Sequence, residues 1–360
     1  MVTIGRRVHQ HRASCQKPPG ALTDSSTPFP AQAREGIRGF RPLATRRESP
    51  SVLIQARGRP EDSVLSPVRR FFRRYGWGYA FILPSMIVFA VFRLAPVIYA
   101  LLISFQNYRL SGHSTWVGFQ NYVDAFTTQS GVFKEALRNT LFYTVFTVMA
   151  NIFVGLILAS LIQPLGKYAQ TFFRAAFYLP AVTSAVIIAM IWRWMYNTQW
   201  GFLNYLLSLV HLGPVKWLSD PAIALKSITL STILTVPATA VVLFSAAMGG
   251  IPNELYEAAE LDGAGPIRRW WNITLPLIKP TTLYLTVLYT IASFEVFEKI
   301  FIMVPSGVGN STQVIVTQIY QNGFQQFRYG VAAAQAFILF LIIASVAALQ
   351  FRFLRSNVEY

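Results

Sequence analysis

The sequence predicts an all-α polytopic membrane protein with six transmembrane helices. Three observations carry that prediction. Charged residues make up 13% of the 360, about half the share of a soluble domain, while 53% are hydrophobic. Aromatic residues reach 14% and the mean hydropathy is +0.42. Six apolar stretches approach the roughly 20 residues that a membrane-spanning helix needs.

In chain order, residues 1–75 form a basic tail, expected to be disordered and cytoplasmic. Of the 31 Lys and Arg, 15 fall before residue 78, against five acidic residues there. The tail is rich in Pro, Gly, Ser and Arg and shows no apolar periodicity. Beside an anionic membrane it reads as a surface-associated segment rather than a nucleic-acid module. His9, His11 and Cys15 lack a suitably spaced fourth ligand, so they read as solvated side chains and no metal site is expected. Cys15 stands alone, which excludes an intramolecular disulfide. Arg69, Arg70, Arg73 and Arg74 resemble a twin-arginine signal, but the apolar run behind them is too long for one. They read instead as charges that hold the first span's start in the cytoplasm.

The spans are expected at Trp77–Phe105, bent by Pro84 and Pro96, then Thr140–Ile162 and Ala175–Tyr196. Ser227–Met248, with Pro237 inside, Thr281–Val304 and Val331–Phe351 complete the set. An even count puts both termini on one side, and the arginine cluster places that side inside. Trp116, Tyr122, Trp200, Tyr205 and Trp217 in the outer loops suit an aromatic belt.

The connection between the fourth and fifth spans, about residues 251–276, predicts two short inner helices. Pro252 suits the first turn of one and Gly263 its C-terminal cap. Pro266 opens the second and Pro276 stops it. Leu255, Ala258 and Ala259 share one face, and Ile267, Trp270 and Trp271 share another. The alanines keep the first face narrow, and Glu254, Glu257 and Glu260 offer carboxylates to a basic partner. An amphipathic pair too short to span reads as a docking element.

Glu257-Ala258-Ala259-x-x-Asp262-Gly263-Ala264, followed by Ile273-x-Leu275-Pro276 and Pro280, resembles the EAA loop of ABC import permeases. The resemblance runs over about residues 76–355. Tyr79–Pro84, Trp116–Tyr122, Phe173–Pro180, Ile191–Asn197 and Trp217–Pro221 point to the carbohydrate branch, the maltose- and glycerol-phosphate-type permeases. It implies a type I ABC importer permease fold over 76–356 and a bacterial or archaeal inner-membrane location. It also implies a second permease subunit, two ATPase subunits and an extracytoplasmic sugar-binding protein as partners. ATP and Mg would sit on the ATPase, and this chain would bind no cofactor. Carried over by position, Glu257 would contact the ATPase, Ala258 and Ala259 would allow close packing, and Gly263 would make the turn, with Asp262, Leu275 and Pro276 completing the motif. The segment Met303–Thr312 and Arg93 depart from the family pattern.

Candidate pathway or gate residues are Arg93, Trp192, Tyr289, Phe294, Glu295 and Glu298. Arg93 is an intramembrane charge, suited either to pairing in the pore or between subunits, or to snorkelling outward. Glu295 and Lys299 have the i,i+4 spacing of a helical ion pair, which would help close an outer gate or solvate a helix end. Trp192, Trp194, Tyr196, Tyr289 and Phe294 are candidate sugar-stacking rings, although aromatics in spans more often pack or anchor.

Three function classes compete. A transporter subunit without chemistry of its own fits the sequence, which contains no Gly-x-x-x-x-Gly-Lys-Ser/Thr loop. An intramembrane enzyme would need a motif such as His-Glu-x-x-His or Gly-x-Ser-x-Gly, and neither occurs. A stand-alone secondary transporter would often show inverted repeats, and none is evident.

Overall fold

A computed structural model describes residues 62–127, 130–304 and 309–354. His9, His11, Cys15 and the rest of the tail before Asp62 lie outside the described residues, as do Pro305–Val308 of the segment 303–312. The chain divides into two units, Met1–Arg70 and Phe71–Tyr360.

Helix α1, Asp62–Phe89, continues through a π turn, Ala90–Leu94, into α2, Ala95–Ser104. A two-residue antiparallel pair follows, β1 (Gln106–Asn107) on β2 (Thr115–Trp116). Then come α3 (Gln120–Phe126), α4 (Ser130–Ile162), α5 (Lys167–Val182), α6 (Ala185–Met195) and α7 (Phe202–Leu209). Helices α8 (Ala224–Leu234) and α9 (Ala238–Gly249) lead to α10 (Asn253–Leu261) and α11 (Pro266–Arg269). A second π turn, Trp270–Thr274, joins α12 (Leu275–Leu277), and α13 (Lys279–Phe294) and α14 (Glu298–Met303) follow. A 3-10 turn (Gly309–Thr312), α15 (Ile315–Tyr320), a third π turn (Gln321–Gln325) and α16 (Tyr329–Leu354) complete the described chain.

Among the described residues, four helical stretches are long and apolar enough to cross a membrane: Tyr75–Ser104, Gly131–Ile162, Ala224–Gly249 and Tyr329–Phe353. The third expected span is not one straight helix. Helices α5 and α6 meet at 91° across Thr183 and Ser184. Pro180 lies inside α5 and removes a backbone donor, and both break residues are extended, with ψ of 140° and 136°. The fifth expected span also differs. Helix α13 has 16 residues and closes at Glu295, so it covers about 24 Å, short of a bilayer's hydrocarbon core.

Prolines shape the remaining spans through a shared device. The first two π turns each end two residues before a proline, Pro96 and Pro276. A proline in a helix lacks its N–H and crowds the carbonyl four residues back. Widening that turn relieves the crowding, and the residue before each proline bonds five residues back, Ala95 to Ala90 and Leu275 to Trp270. Pro276 therefore does not stop its helix as expected, because the π turn carries the chain through to Leu277.

The core is strung along α4, whose 33 residues run about 50 Å. Near its start, Phe133 packs with Phe294, Ile315 and Leu339. Midway, Tyr143 joins Ala189, Tyr196, Ile228, Ile300 and Met303. Near its end, Leu156 and Ala159 pack with Ala240, Phe244, Met248 and Ile278. By contrast, from Tyr75 to the end of α2 nearly all of the apolar side chains are exposed. A span with that surface needs lipid or another protein around it.

Candidate functional site

The segment 253–277 is built by local chemistry. Pro252 lies one residue earlier than expected, at the N-cap, with φ −57° and ψ 132°. At the other end Gly263 has φ +74°, a left-handed conformation that disfavours side chains. The Gly263 amide donates to the Glu260 carbonyl and the Ala264 amide to the Ala259 carbonyl, both at 2.9 Å. Those two bonds form a Schellman closure, which satisfies carbonyls that the helix end leaves open. Asp262 is the exposed C-cap residue.

Two side chains pin this segment to the bundle. The Tyr256 and Thr274 hydroxyls are 2.9 Å apart. Trp270 Nε1 donates to Ser160 Oγ on α4 at 2.9 Å, and its ring packs on the cluster around Ala159 and Met248. Leu275 joins the same cluster, and Pro276 beside it is half-buried.

This anchoring divides both expected faces. Ala259 is half-buried while Ala258 and Glu257 are exposed. Trp270 turns inward, whereas Ile267 and Trp271 stay 76% and 58% exposed. Leu261 is 91% exposed. Large apolar side chains held out beside open carboxylates mark a contact surface. Of the three carboxylates, Glu260 is already taken: it accepts from Arg269 Nη1 at 2.7 Å. Glu254 and Glu257 make no ion pair among the described residues.

Trp270→Phe should lower thermal stability by only about 1 kcal/mol, because Ser160 Oγ keeps its bond to the Leu156 carbonyl. Trp270→Ala should lose about 3–5 kcal/mol through lost packing. Equal melting shifts for the two variants would show that the ring's packing does not hold the segment.

The structure does not gather the pathway candidates. Arg93 sits in the first π turn, exposed and without an ion pair among the described residues. Trp192 donates to Thr235 Oγ1 at 3.0 Å and its ring lies 5.6 Å from that of Tyr196. The Tyr289 hydroxyl accepts from the Ala240 amide at 3.1 Å, a donor freed by the break at Pro237. Phe294 is buried in the core against Phe133 and Leu339. Glu295 and Glu298 are exposed.

The expected Glu295–Lys299 ion pair is not formed. The helix ends at Glu295, so the i,i+4 spacing no longer holds across the break. Lys299 Nζ instead donates to Thr232 Oγ1 at 2.9 Å, which lies 3.0 Å from the Tyr143 hydroxyl. Sequence reading missed Thr232 and Tyr143 in this network.

Comparisons with known proteins converge. Residues 151–357 match the family described as binding-protein-dependent transport system inner membrane component. The chain is 32% identical over 285 residues to the probable ABC transporter permease protein YurN of Bacillus subtilis (strain 168), covering 78% of this chain and 97% of that protein. It is 30% identical over 291 residues to the sn-glycerol-3-phosphate transport system permease protein UgpA of Agrobacterium fabrum, covering 78% and 96%. Among solved structures, it resembles a bacterial ABC transporter involved in import of the acidic polysaccharide alginate. That match has a TM-score of 0.72 and 26% identity, and covers 81% of this chain and 100% of the other. The helical architecture, the membrane-length apolar helices and these matches agree: the chain is a multi-pass membrane protein belonging to the binding-protein-dependent transport system inner membrane component family.

Proposed function

We propose that this chain is the permease subunit of an ATP-driven importer for a sugar or sugar derivative. With a second permease it forms the translocation pathway. Two ATPase subunits bind on the inner side and hold ATP and Mg, the segment around α10 being this chain's docking element for the ATPase, and a binding protein delivers substrate from outside. Both termini lie on the ATPase side, and residues 1–75 form an appended basic tail that the pathway does not require. The observation that carries this reading is α10 itself. It is a capped helix pinned from behind by Tyr256 and Trp270, which leaves Glu257, Ala258 and Leu261 outward. Support for a carbohydrate comes from relatives named for arabinooligosaccharides and multiple sugars.

The test uses the purified chain with and without co-expressed partners. The chain alone should neither hydrolyse ATP nor accumulate sugar in vesicles, since the sequence holds no phosphate-binding lysine loop. Addition of a cognate ATPase, second permease and loaded binding protein should restore both activities. ATP hydrolysis that persists after every ATPase subunit is removed would overturn the reading.

A further inference from the structure

A cavity of about 500 Å³ opens at the end of the bundle away from the coupling segment. The coupling segment packs near Leu156 and Ala159, at one end of α4. One wall of the cavity is α3, whose Phe126 packs on Phe133 at the other end of α4, ring centroids 5.2 Å apart. The cavity walls include residues 107–109, just past the last residue of α2, and 327–331, around the first residue of α16. Two of the apolar membrane-length helices therefore end at its level. That depth is a membrane–water boundary.

Its chemistry is basic and aromatic. Arg109 and Arg328 both line it, and neither makes an ion pair among the described residues. Asp124, the carboxylate in the lining, already accepts from Gln120 Nε2 at 2.8 Å. Two arginines thus line the space with one partly engaged carboxylate. Tyr108 and Tyr329 stand edge to face at 5.9 Å and form an aromatic wall.

The frame is rigid. The Asn121 side-chain amide donates to the Ser104 and Gln106 carbonyls at 2.8 and 2.9 Å. Gly330 presses so close that a Cβ there would overlap the Gln106 carbonyl and the Asn121 amide. Phe327 is held at φ +55°, a conformation disfavoured for a bulky residue, and the next amide, of Arg328, donates to the Asn322 carbonyl at 2.7 Å.

We propose that this cavity binds the phosphate group of an anionic phospholipid headgroup, with Arg109 and Arg328 as its ligands. Guanidinium forks match phosphate oxygens in pairs, and tyrosines favour the interfacial depth. Exposed Tyr99, Leu102, Phe340 and Leu341 on α2 and α16 offer an apolar surface along which acyl chains can lie. Free phosphate shares the headgroup's chemistry but not its tether to the bilayer.

The experiment uses the full chain with its partner subunits in nanodiscs of phosphatidylcholine, with or without phosphatidylglycerol. Retained lipid is counted by native mass spectrometry, and thermal midpoints are recorded. Phosphatidylglycerol should be retained and should raise the midpoint. Arg109→Gln combined with Arg328→Gln should retain about tenfold less. The double Lys variant should recover part of the retention. All three proteins should melt alike in phosphatidylcholine alone, because the arginines hold no ion pair to lose. Millimolar inorganic phosphate should not replace the lipid. Three results would overturn the proposal: equal lipid retention by the Gln variant, full protection by inorganic phosphate without anionic lipid, or a Gln variant that keeps its lipid but loses stimulation by the binding protein. The last would make the cavity a docking surface for protein.

Discussion

Glu257→Lys should reach the membrane at normal abundance and abolish sugar uptake. The side chain lies on α10, exposed and without an ion pair, so its replacement disturbs nothing in the isolated chain. Its effect comes from the docked state. Desolvating one member of a polar or charged pair against a partner and then removing it typically loses about 2–5 kcal/mol, much of it from the orphaned partner. Charge reversal adds repulsion, so docking should weaken by roughly thirtyfold or more. Gly263→Val should act on the same helix by another route. A Cβ at Gly263 meets no atom within 4 Å, so the penalty is wholly backbone conformation, about 1–2 kcal/mol at φ +74°. The Schellman closure loosens, and uptake should fall by roughly five- to thirtyfold. Gly263→Asn should be milder, because asparagine tolerates the left-handed region. The measurements are uptake, ATPase co-purification and ATPase stimulation by loaded binding protein. If Glu257→Lys and Gly263→Val both transport at the unmodified rate with full stimulation, α10 is not the coupling element.

What was legible in the sequence was what neighbouring residues decide. Gly263 at the helix cap and Pro266 in the first turn of α11 follow from conformational preferences that hold without tertiary contacts. The apolar stretches were legible for a similar reason, since hydropathy is additive along the chain. The division of Ala258 from Ala259 was not legible. Both fit the outward face by helical spacing, and the choice depends on Tyr256 and Trp270 reaching Thr274 and Ser160, contacts 18 and 110 residues apart.

The same holds for Lys299. Its pairing with Glu295 rests on an unbroken helix, while the structure ends that helix at Glu295 and turns Lys299 toward Thr232, 67 residues away. Pro180 gave a local hint of the bend after α5, but a proline alone sets neither a 91° angle nor its place three residues on. Pro276 misled in the opposite direction, since a π turn absorbed it.

Gly155→Val should sharply lower membrane abundance and thermal stability. Gly155 is buried in α4 and faces α9 at Ala240. A Cβ on Gly155 would overlap the Ala240 Cβ, and the Ala240 Cα and carbonyl carbon stand at 3.5 and 3.4 Å. The obstacle is mostly backbone and a Cβ, neither of which can rotate away. Relief requires α9 to move as a body. That movement opens the cluster of Leu156, Ala159, Phe244 and Met248, and pulls the Ala240 amide off the Tyr289 hydroxyl. Small residues at such crossings let spanning helices approach closely when lipid supplies no hydrophobic drive between them. Overpacking typically loses about 1–3 kcal/mol, occasionally more, and Val inserts three carbons into fully occupied space. Gly155→Ala should show a smaller loss of the same kind. Ala240→Gly in that background should restore it, because removal of the facing Cβ clears the overlap while each single change is unfavourable. The double-mutant cycle separates close packing from a general intolerance of Ala at position 155. Additive losses in melting temperature, with no rescue by Ala240→Gly, would show that α4 and α9 do not meet at these two residues.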